Sequence, residues 1–380
     1  MKRGFFRAQG VLLLFIYLLG LSCGFGDENR LNTDDVFECM SVCGLSGFNS
    51  EAKEKDGVKI SSRVYELFFG KPNNDNAKST QKYLIPGGTV FGVLIDEEGA
   101  TVLATAFSSP LTVGDRIISV NGKKVRSAED VEEETRNSHG KSLELSVVRK
   151  GENITLSVTP RLKDGEYKLG VNLRSKTAGI GTITYIDPTT RAFGGLGHGV
   201  TDNESGSLVS IEKGEVHNVV LGGCKRGESG RAGELTGVLK QNCYGSIFLN
   251  TGVGVFGILD EIPTDLDAPL PVASRTEIKE GEAEIISTVK NGKRMRYKIK
   301  IEDVDYTSTS SKSFKIKVTD PVLVALTGGI VRGMSGSPII QNGKLVGAVT
   351  HVMVADPTEG YGIFIENMLN AANIPMAKAS

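Results

Sequence analysis

Gly333-Met334-Ser335-Gly336-Ser337-Pro338 has the composition of a nucleophile turn. Small residues around a serine let the chain turn tightly, expose the hydroxyl and bring backbone N–H groups together over a developing oxyanion. The N–H groups of Gly333 and Ser335 flank that turn and are the expected oxyanion donors. A serine needs a base, and histidine suits best because it titrates near neutrality. The chain has four histidines: His139, His198, His217 and His351. His139 reads as a surface residue beside a glycine, and His217 as part of a solvated turn after Lys213-Gly214-Glu215. His351 ends the apolar strand after the serine and reads as structural. His198 lies in Phe193-Gly194-Gly195-Leu196-Gly197-His198-Gly199-Val200, where glycines let the backbone approach an exposed ring closely; it is the preferred base. The acid that would orient the base has several candidates, Asp320, Asp202, Asp187 and Asp356, and spacing alone does not choose among them. Ser337 competes as nucleophile, but Pro338 directly after it restricts the turn.

Other chemistries fit less well. No His-Glu-x-x-His occurs and no histidine stands at ligand spacing beside a cysteine pair, so neither a metal site nor any cofactor is expected. A serine–lysine arrangement would need Lys344, which falls in a hairpin turn. The net charge of -1 implies no attraction to nucleic acid. Cys23, Cys39, Cys43, Cys224 and Cys243 allow two disulfides in an oxidising compartment, or free thiols.

The elements that must position this chemistry are mainly strands. Glycine-rich turns and the absence of tryptophan favour a β-rich protein over a helical bundle. Pro338–Ile340, Asn342-Gly343 and Leu345–Val349 predict a hairpin, as do Ala283–Val289 and Arg296–Ile301 around Asn291-Gly292. From Leu169 onward, short strands separated by glycine turns predict a β-barrel or sandwich of roughly 200 residues, with a helix only over 365–372. The N-terminus places Lys2, Arg3 and Arg7 before an uncharged stretch from Ala8 to Gly26, which reads as a signal peptide or membrane anchor over residues 1–26. A linker over 27–82 follows, and the working parts are expected outside the cytoplasm.

Residues 83–165 carry a second pattern. Gly114-Asp115-Arg116-Ile117-Ile118-Ser119-Val120-Asn121-Gly122 is a strand entering a tight turn. Ser127 is placed to cap a helix, with Asp130 facing back. Ser142–Val148 and Ile154–Val158 alternate around Lys150-Gly151-Glu152 as a hairpin. This order resembles a PDZ domain of the bacterial protease type, which binds an extended peptide as an added strand. The resemblance places the peptide groove at Val90, Phe91, Gly92 and Val93. The fold class is therefore mainly β: an N-terminal membrane or signal helix, a PDZ domain, then a β-barrel-like serine peptidase domain over 166–380.

Together, Leu196-Gly197-His198-Gly199-Val200-Thr201-Asp202, Thr319-Asp320-Pro321 and Thr327-Gly328-Gly329-Ile330-Val331 leading into Gly333–Ile340 resemble the sporulation stage IV protein B peptidases. The resemblance spans about residues 83–368 and includes the order of anchor, PDZ domain and peptidase. It implies a triad of Ser335, His198 and Asp320. It also implies a serine endopeptidase that crosses the forespore inner membrane, cleaves itself, and cuts a membrane-bound regulator, so that an intramembrane protease activates a late sigma factor. The expected partners are that regulator, the chain's own N-terminal region and the membrane. In a trypsin-like arrangement the acid stands well before the serine; here Asp320 is close to Ser335, and Asp202 is the fallback. The competing reading is a non-catalytic, membrane-tethered PDZ adaptor.

Overall fold

The computed structural model describes residues 81–106, 109–202, 206–290 and 292–372. The expected anchor over 1–26, the linker as far as residue 80, and Cys23, Cys39 and Cys43 lie outside the described residues. Among the described residues, no helix is long and apolar enough to cross a membrane.

Twelve strands matter for the site, and they close into two β-barrels. The first barrel is built from β1 (Val90–Thr105), β5 (Val171–Ile186), β6 (Ala192–Gly195), β7 (Ile211–Lys225), β8 (Gly233–Thr251) and β9 (Gly254–Leu259). Pairing runs β1–β5–β6–β9–β8–β7 and returns to β1, antiparallel throughout. The second barrel is built from β10 (Gly281–Lys290), β11 (Lys293–Glu302), β12 (Phe314–Val318), β13 (Pro338–Gln341), β14 (Lys344–Val352) and β15 (Glu359–Phe364). It closes in the order β10–β11–β12–β15–β14–β13. Numbered within each barrel, both rings read 1-2-3-6-5-4. The two barrels thus share one topology.

Closure leaves these strands no free edge inside the ring, and alternate side chains fill the interior. Phe91, Val93, Ile95, Ile183, Phe193, Val216 and Val255 form the first barrel's core. Ile285, Ile299, Phe314, Ile339, Val349 and Phe364 form the second's. Several sequence expectations appear as drawn. The Asn342-Gly343 turn carries positive φ at both residues and joins β13 to β14, and Ile365–Ala371 is a helix.

The PDZ fold occupies the first connection of the first barrel. It consists of β2 (Arg116–Val120), α1 (Ala128–Asn137), β3 (Leu143–Arg149), β4 (Glu152–Val158) and the outer ends of β1 and β5. Both long strands run unbroken from the barrel into it. Val90–Asp96 pairs with Thr182–Lys176 in the barrel, and Thr101–Thr105 pairs with Arg174–Val171 in the PDZ part. Val102, Ile117, Val120, Val131, Leu145 and Val147 make its separate core. Ser127 caps α1 as the sequence indicates: its side chain accepts from the Asp130 N–H, while Asp130 accepts from the Arg126 N–H.

This topology corrects the expected peptide groove. Val90, Phe91, Gly92 and Val93 belong to the barrel and are buried. One edge of this segment pairs with β5, and on the other Phe91, Gly92 and Val93 face Asn218, His217 and Val216 of β7. With partners on both sides, that segment has no row of backbone groups to offer a peptide.

Candidate active site

His198 follows the end of β6 in the first barrel. Leu196 and Gly197 both adopt positive φ, 66° and 69°, which swings the chain sharply out of the strand. A side chain at Gly197 would crowd Thr350 of β14, so glycine there allows the two barrels to meet beside the histidine. Just beyond, Asn250 holds the backbone of Val200 from both sides. Its Oδ1 accepts from the Val200 N–H at 2.8 Å, and its Nδ2 donates to the Val200 carbonyl at 2.8 Å.

Ser335 lies in the second barrel's turn before β13. Gly333 and Gly336 have φ of 97° and 96°, and the turn they make is sutured to β5 of the first barrel. The Thr182 N–H donates to the Ser335 carbonyl at 2.9 Å. The Thr182 and Thr184 hydroxyls donate to the carbonyls of Gly333 and Gly336, each at 2.8 Å. A Cβ at Gly336 would run into the Thr182 carbonyl. The N–H groups of Gly333 and Ser335, the expected oxyanion donors, belong to this glycine-built turn. Ser337 is fully buried and donates to the Ser287 hydroxyl at 3.1 Å, so it is in no position to attack a substrate.

The barrels bring His198 and Ser335 into one neighbourhood. The Ser335 hydroxyl donates to the Thr350 carbonyl at 2.8 Å. The next residue, His351, packs its ring against His198, with centroids 5.2 Å apart and planes tilted by 42°. Sequence reasoning set His351 aside as structural; its place beside His198 comes from the fold of β14 and has no signature in its own sequence surroundings. Burial lowers the His198 pKa, partly offset by the Gly199 carbonyl. His351 is pushed down to about 4, by burial first and then by the charges of His198 and Lys312.

His198 Nδ1 lies 2.9 Å from the Gly199 carbonyl oxygen. A carbonyl can only accept, so Nδ1 carries the proton and Nε2 keeps its lone pair. That is the tautomer a general base requires, and here a backbone oxygen selects it.

The expected contact between His198 and Asp320 is not made. Asp320 is the N-cap of α2 (Pro321–Thr327). Its Oδ1 accepts from the N–H groups of Val322 and Leu323 at 2.9 and 3.1 Å, and its Oδ2 accepts from the Lys298 N–H at 3.2 Å. The sequence carried that signal: aspartate followed by proline is the N-cap and N1 pair of a helix start. The other acids are also committed. Asp202 pairs with Arg174, Asp187 with Lys82 at 2.9 Å, and Asp356 caps the turn at Thr358. Lys344 pairs with Glu277. His217, expected in a solvated turn, is buried in β7 between the Lys240 carbonyl and Glu215. Cys224 and Cys243 are free thiols. Among the described residues, no cluster of His, Cys, Asp and Glu could hold a metal ion.

The PDZ part has a cleft on the other long strand. Val131 and Thr135 of α1 face Leu169, Val171 and Leu173 across a cleft of about 290 Å³. Among the described residues, no strand pairs with the outer edge of Val171–Arg174, so its backbone is open to an added strand beside the helix. Leu169-Gly170-Val171 read in sequence as the start of the next domain, which hid this edge.

Comparison with known proteins agrees with this organisation. The SpoIVB peptidase S55 family matches residues 165–369, and a PDZ domain matches residues 74–159. The "Putative zinc metalloprotease LL2128" of Lactococcus lactis is 42% identical over 79 residues, 21% of this chain and 18% of that protein. The "Putative zinc metalloprotease all3971" of Nostoc is 29% identical over 136 residues, 31% of this chain and 37% of that protein. The chain thus spans well under half the length of either curated relative. Among solved structures, the active form of the Rv3671c protease of M. tuberculosis is 12% identical, covering 53% of this chain and 78% of that one, with a TM-score of 0.30. The PDZ domain of the SdrC-like protein of Listeria monocytogenes is 18% identical, covering 20% of this chain and 87% of that one, with a TM-score of 0.19.

Proposed function

The chain belongs to the SpoIVB peptidase S55 family, a serine peptidase family, and on that premise we propose an endopeptidase with Ser335 as nucleophile and His198 as base. The observation that carries this reading is the meeting of two turns from two barrels: a histidine held in its basic tautomer, and a serine on a glycine-built turn whose hydroxyl reaches the residue before the histidine's ring neighbour, His351. In the mechanism, the Ser335 hydroxyl leaves the Thr350 carbonyl and turns to His198 Nε2. Nε2 takes the proton as Oγ attacks the scissile carbonyl. The N–H groups of Gly333 and Ser335 receive the oxyanion, and His198 then protonates the leaving amine. Water deacylates the enzyme by the same route, with His198 again as base. The Gly199 carbonyl orients the ring throughout. Asp320 serves the site indirectly, by starting the helix that leads into the nucleophile turn.

The substrates proposed are the chain's own N-terminal region and a membrane-bound regulatory protein of sporulation, whose cleavage frees an intramembrane protease to activate a late sigma factor. The setting proposed is extracytoplasmic, across the forespore inner membrane. The charged-then-apolar N-terminus and the family's architecture support this, and the α1–β5 groove is suited to hold an extended segment of such a partner. The test is mass spectrometry of new N-termini in full-length wild-type and Ser335→Ala chains, alone and with the extracytoplasmic part of the regulator. Fragments present only with wild type are expected; identical fragments from both would refute the reading.

A further inference from the structure

Where the PDZ part joins the first barrel, a cluster of charged side chains is largely buried, and the mechanism above makes no use of it. Arg174 of β5 stands at its centre. Its Nε donates to Glu97 Oε1 of β1 at 3.1 Å, and its Nη2 donates to Asp202 Oδ2. Glu97 and Asp202 are 3% and 7% exposed. Glu97 is further held by the Thr177 hydroxyl at 2.6 Å and the Thr101 hydroxyl at 3.1 Å. Charges this buried are costly unless paired, and a fork that satisfies two carboxylates at once fixes the geometry of both.

The placement of the two carboxylates gives the cluster its meaning. Glu97 and Arg174 sit on the two strands from which the whole PDZ part hangs. Asp202 sits in the turn that leaves His198, four residues on in the sequence. Asp202 donates its N–H to the Ser207 carbonyl at 2.8 Å, and Thr201 bridges to Leu208. Among the described residues, Asn250 ties the turn's two ends at Val200 and Val209 to the barrel, and Arg174 ties Asp202. Arg174 also directly follows Leu173, which lines the α1–β5 groove.

We propose that Arg174 is a positioning residue for the proteolytic reaction: through Asp202 it sets the turn that carries His198, and it does so from the strand that forms the PDZ groove. The inference rests on the reading of His198 as the base. Arg174 touches no reacting group; it acts through Asp202 and the backbone between Asp202 and His198. A peptide adding to β5 at Val171–Leu173 bears on the strand one residue away from this anchor, so the groove and the catalytic histidine share one mechanical element.

The test uses the full chain and two readouts. One is the rate of fluorophosphonate labelling at Ser335 across pH; the other is amide hydrogen exchange over residues 198–202. Arg174→Ala strands two buried carboxylates and can fail to fold, so the size-conserving variants Arg174→Lys and Asp202→Asn carry the experiment, with Glu97→Gln as comparison. Arg174→Lys and Asp202→Asn should each slow labelling by about 10- to 100-fold and speed exchange at 198–202, and the double variant should be no slower than the slower single. Glu97→Gln, which leaves the Arg174–Asp202 link intact, should label within about threefold of wild type. Two results overturn the proposal: unchanged exchange and labelling in Arg174→Lys, or a loss of about 10⁴-fold in Asp202→Asn alone, which would make Asp202 the acid of a triad. If wild type itself is not labelled, the peptidase reading fails, and exchange at 198–202 still decides whether Arg174 holds the turn.

Discussion

Replacing Asp320 by asparagine separates two accounts of the site by orders of magnitude. If Asp320 oriented His198 as a triad acid, Asp320→Asn would cost on the order of 10⁴-fold in turnover, because the amide would favour the wrong tautomer. The structure gives Asp320 other work. Asparagine caps helices as well as aspartate does, so the bonds from Val322 and Leu323 to Oδ1 survive. The bond from the Lys298 N–H to Oδ2 is lost, at about 0.5–1 kcal/mol. A negative charge also leaves the start of α2, at about 0.3–1 kcal/mol. The sum, about 1–2 kcal/mol, lowers the melting temperature by roughly 2–8 °C for a unit of this size. Turnover should stay within about threefold of wild type, since His198 keeps its tautomer through the Gly199 carbonyl. The assay is kcat/KM on a peptide spanning a self-cleavage site, with thermal unfolding measured alongside. A 10⁴-fold loss with an unchanged melting temperature would refute the reasoning and return Asp320 to the triad.

Further outcomes follow from the same geometry. Because burial lowers the His198 pKa and the base must be neutral to act, activity should persist below the ordinary histidine value of 6.5 before it falls; a pH–rate profile whose acid limb lies at or above 6.5 would contradict this. His351 binds its proton more weakly folded, at about 4, than unfolded, so it contributes stability that is complete above about 6.5 and lost as pH falls towards 4. Urea midpoints over that window should fall with pH in wild type and fall less in His351→Gln. Gly336→Ala should leave the chain folded but inactive or abolish folding, because its Cβ meets the Thr182 carbonyl; normal turnover would show the turn to be more adaptable than the geometry allows. Val93→Asp should destabilise the first barrel, read by thermal unfolding, and not merely weaken peptide binding at the PDZ part, since Val93 is 2% exposed and paired on both edges.

The local chemistry of the site was written plainly in the chain, and its assembly was not. Gly333–Pro338 and Gly194–Gly199 announce themselves because a strained turn needs glycine at particular positions, and the hairpin at Asn342-Gly343 follows from turn chemistry alone. The pairing of His198 with His351 depends on how two barrels 137 residues apart in their key turns face each other, and no local pattern encodes that. Asp320 entered the expected triad through the family resemblance, while its local signal, Asp before Pro, marks the helix N-cap that the structure shows. The resemblance placed the groove at Val90–Val93, and an apolar run looks the same at a sheet edge and inside a barrel. Only the partner strands β5 and β7, which arrive about 80 and 120 residues later, decide between them.

The most direct test of the central claim is site-mapped fluorophosphonate labelling of wild type, Ser335→Ala and His198→Ala, each shown to be folded by circular dichroism. The account predicts a single adduct on Ser335 in wild type, none in Ser335→Ala, and labelling slowed by at least about 10³-fold in His198→Ala. An adduct on another serine, or wild-type labelling in the absence of His198, would contradict it.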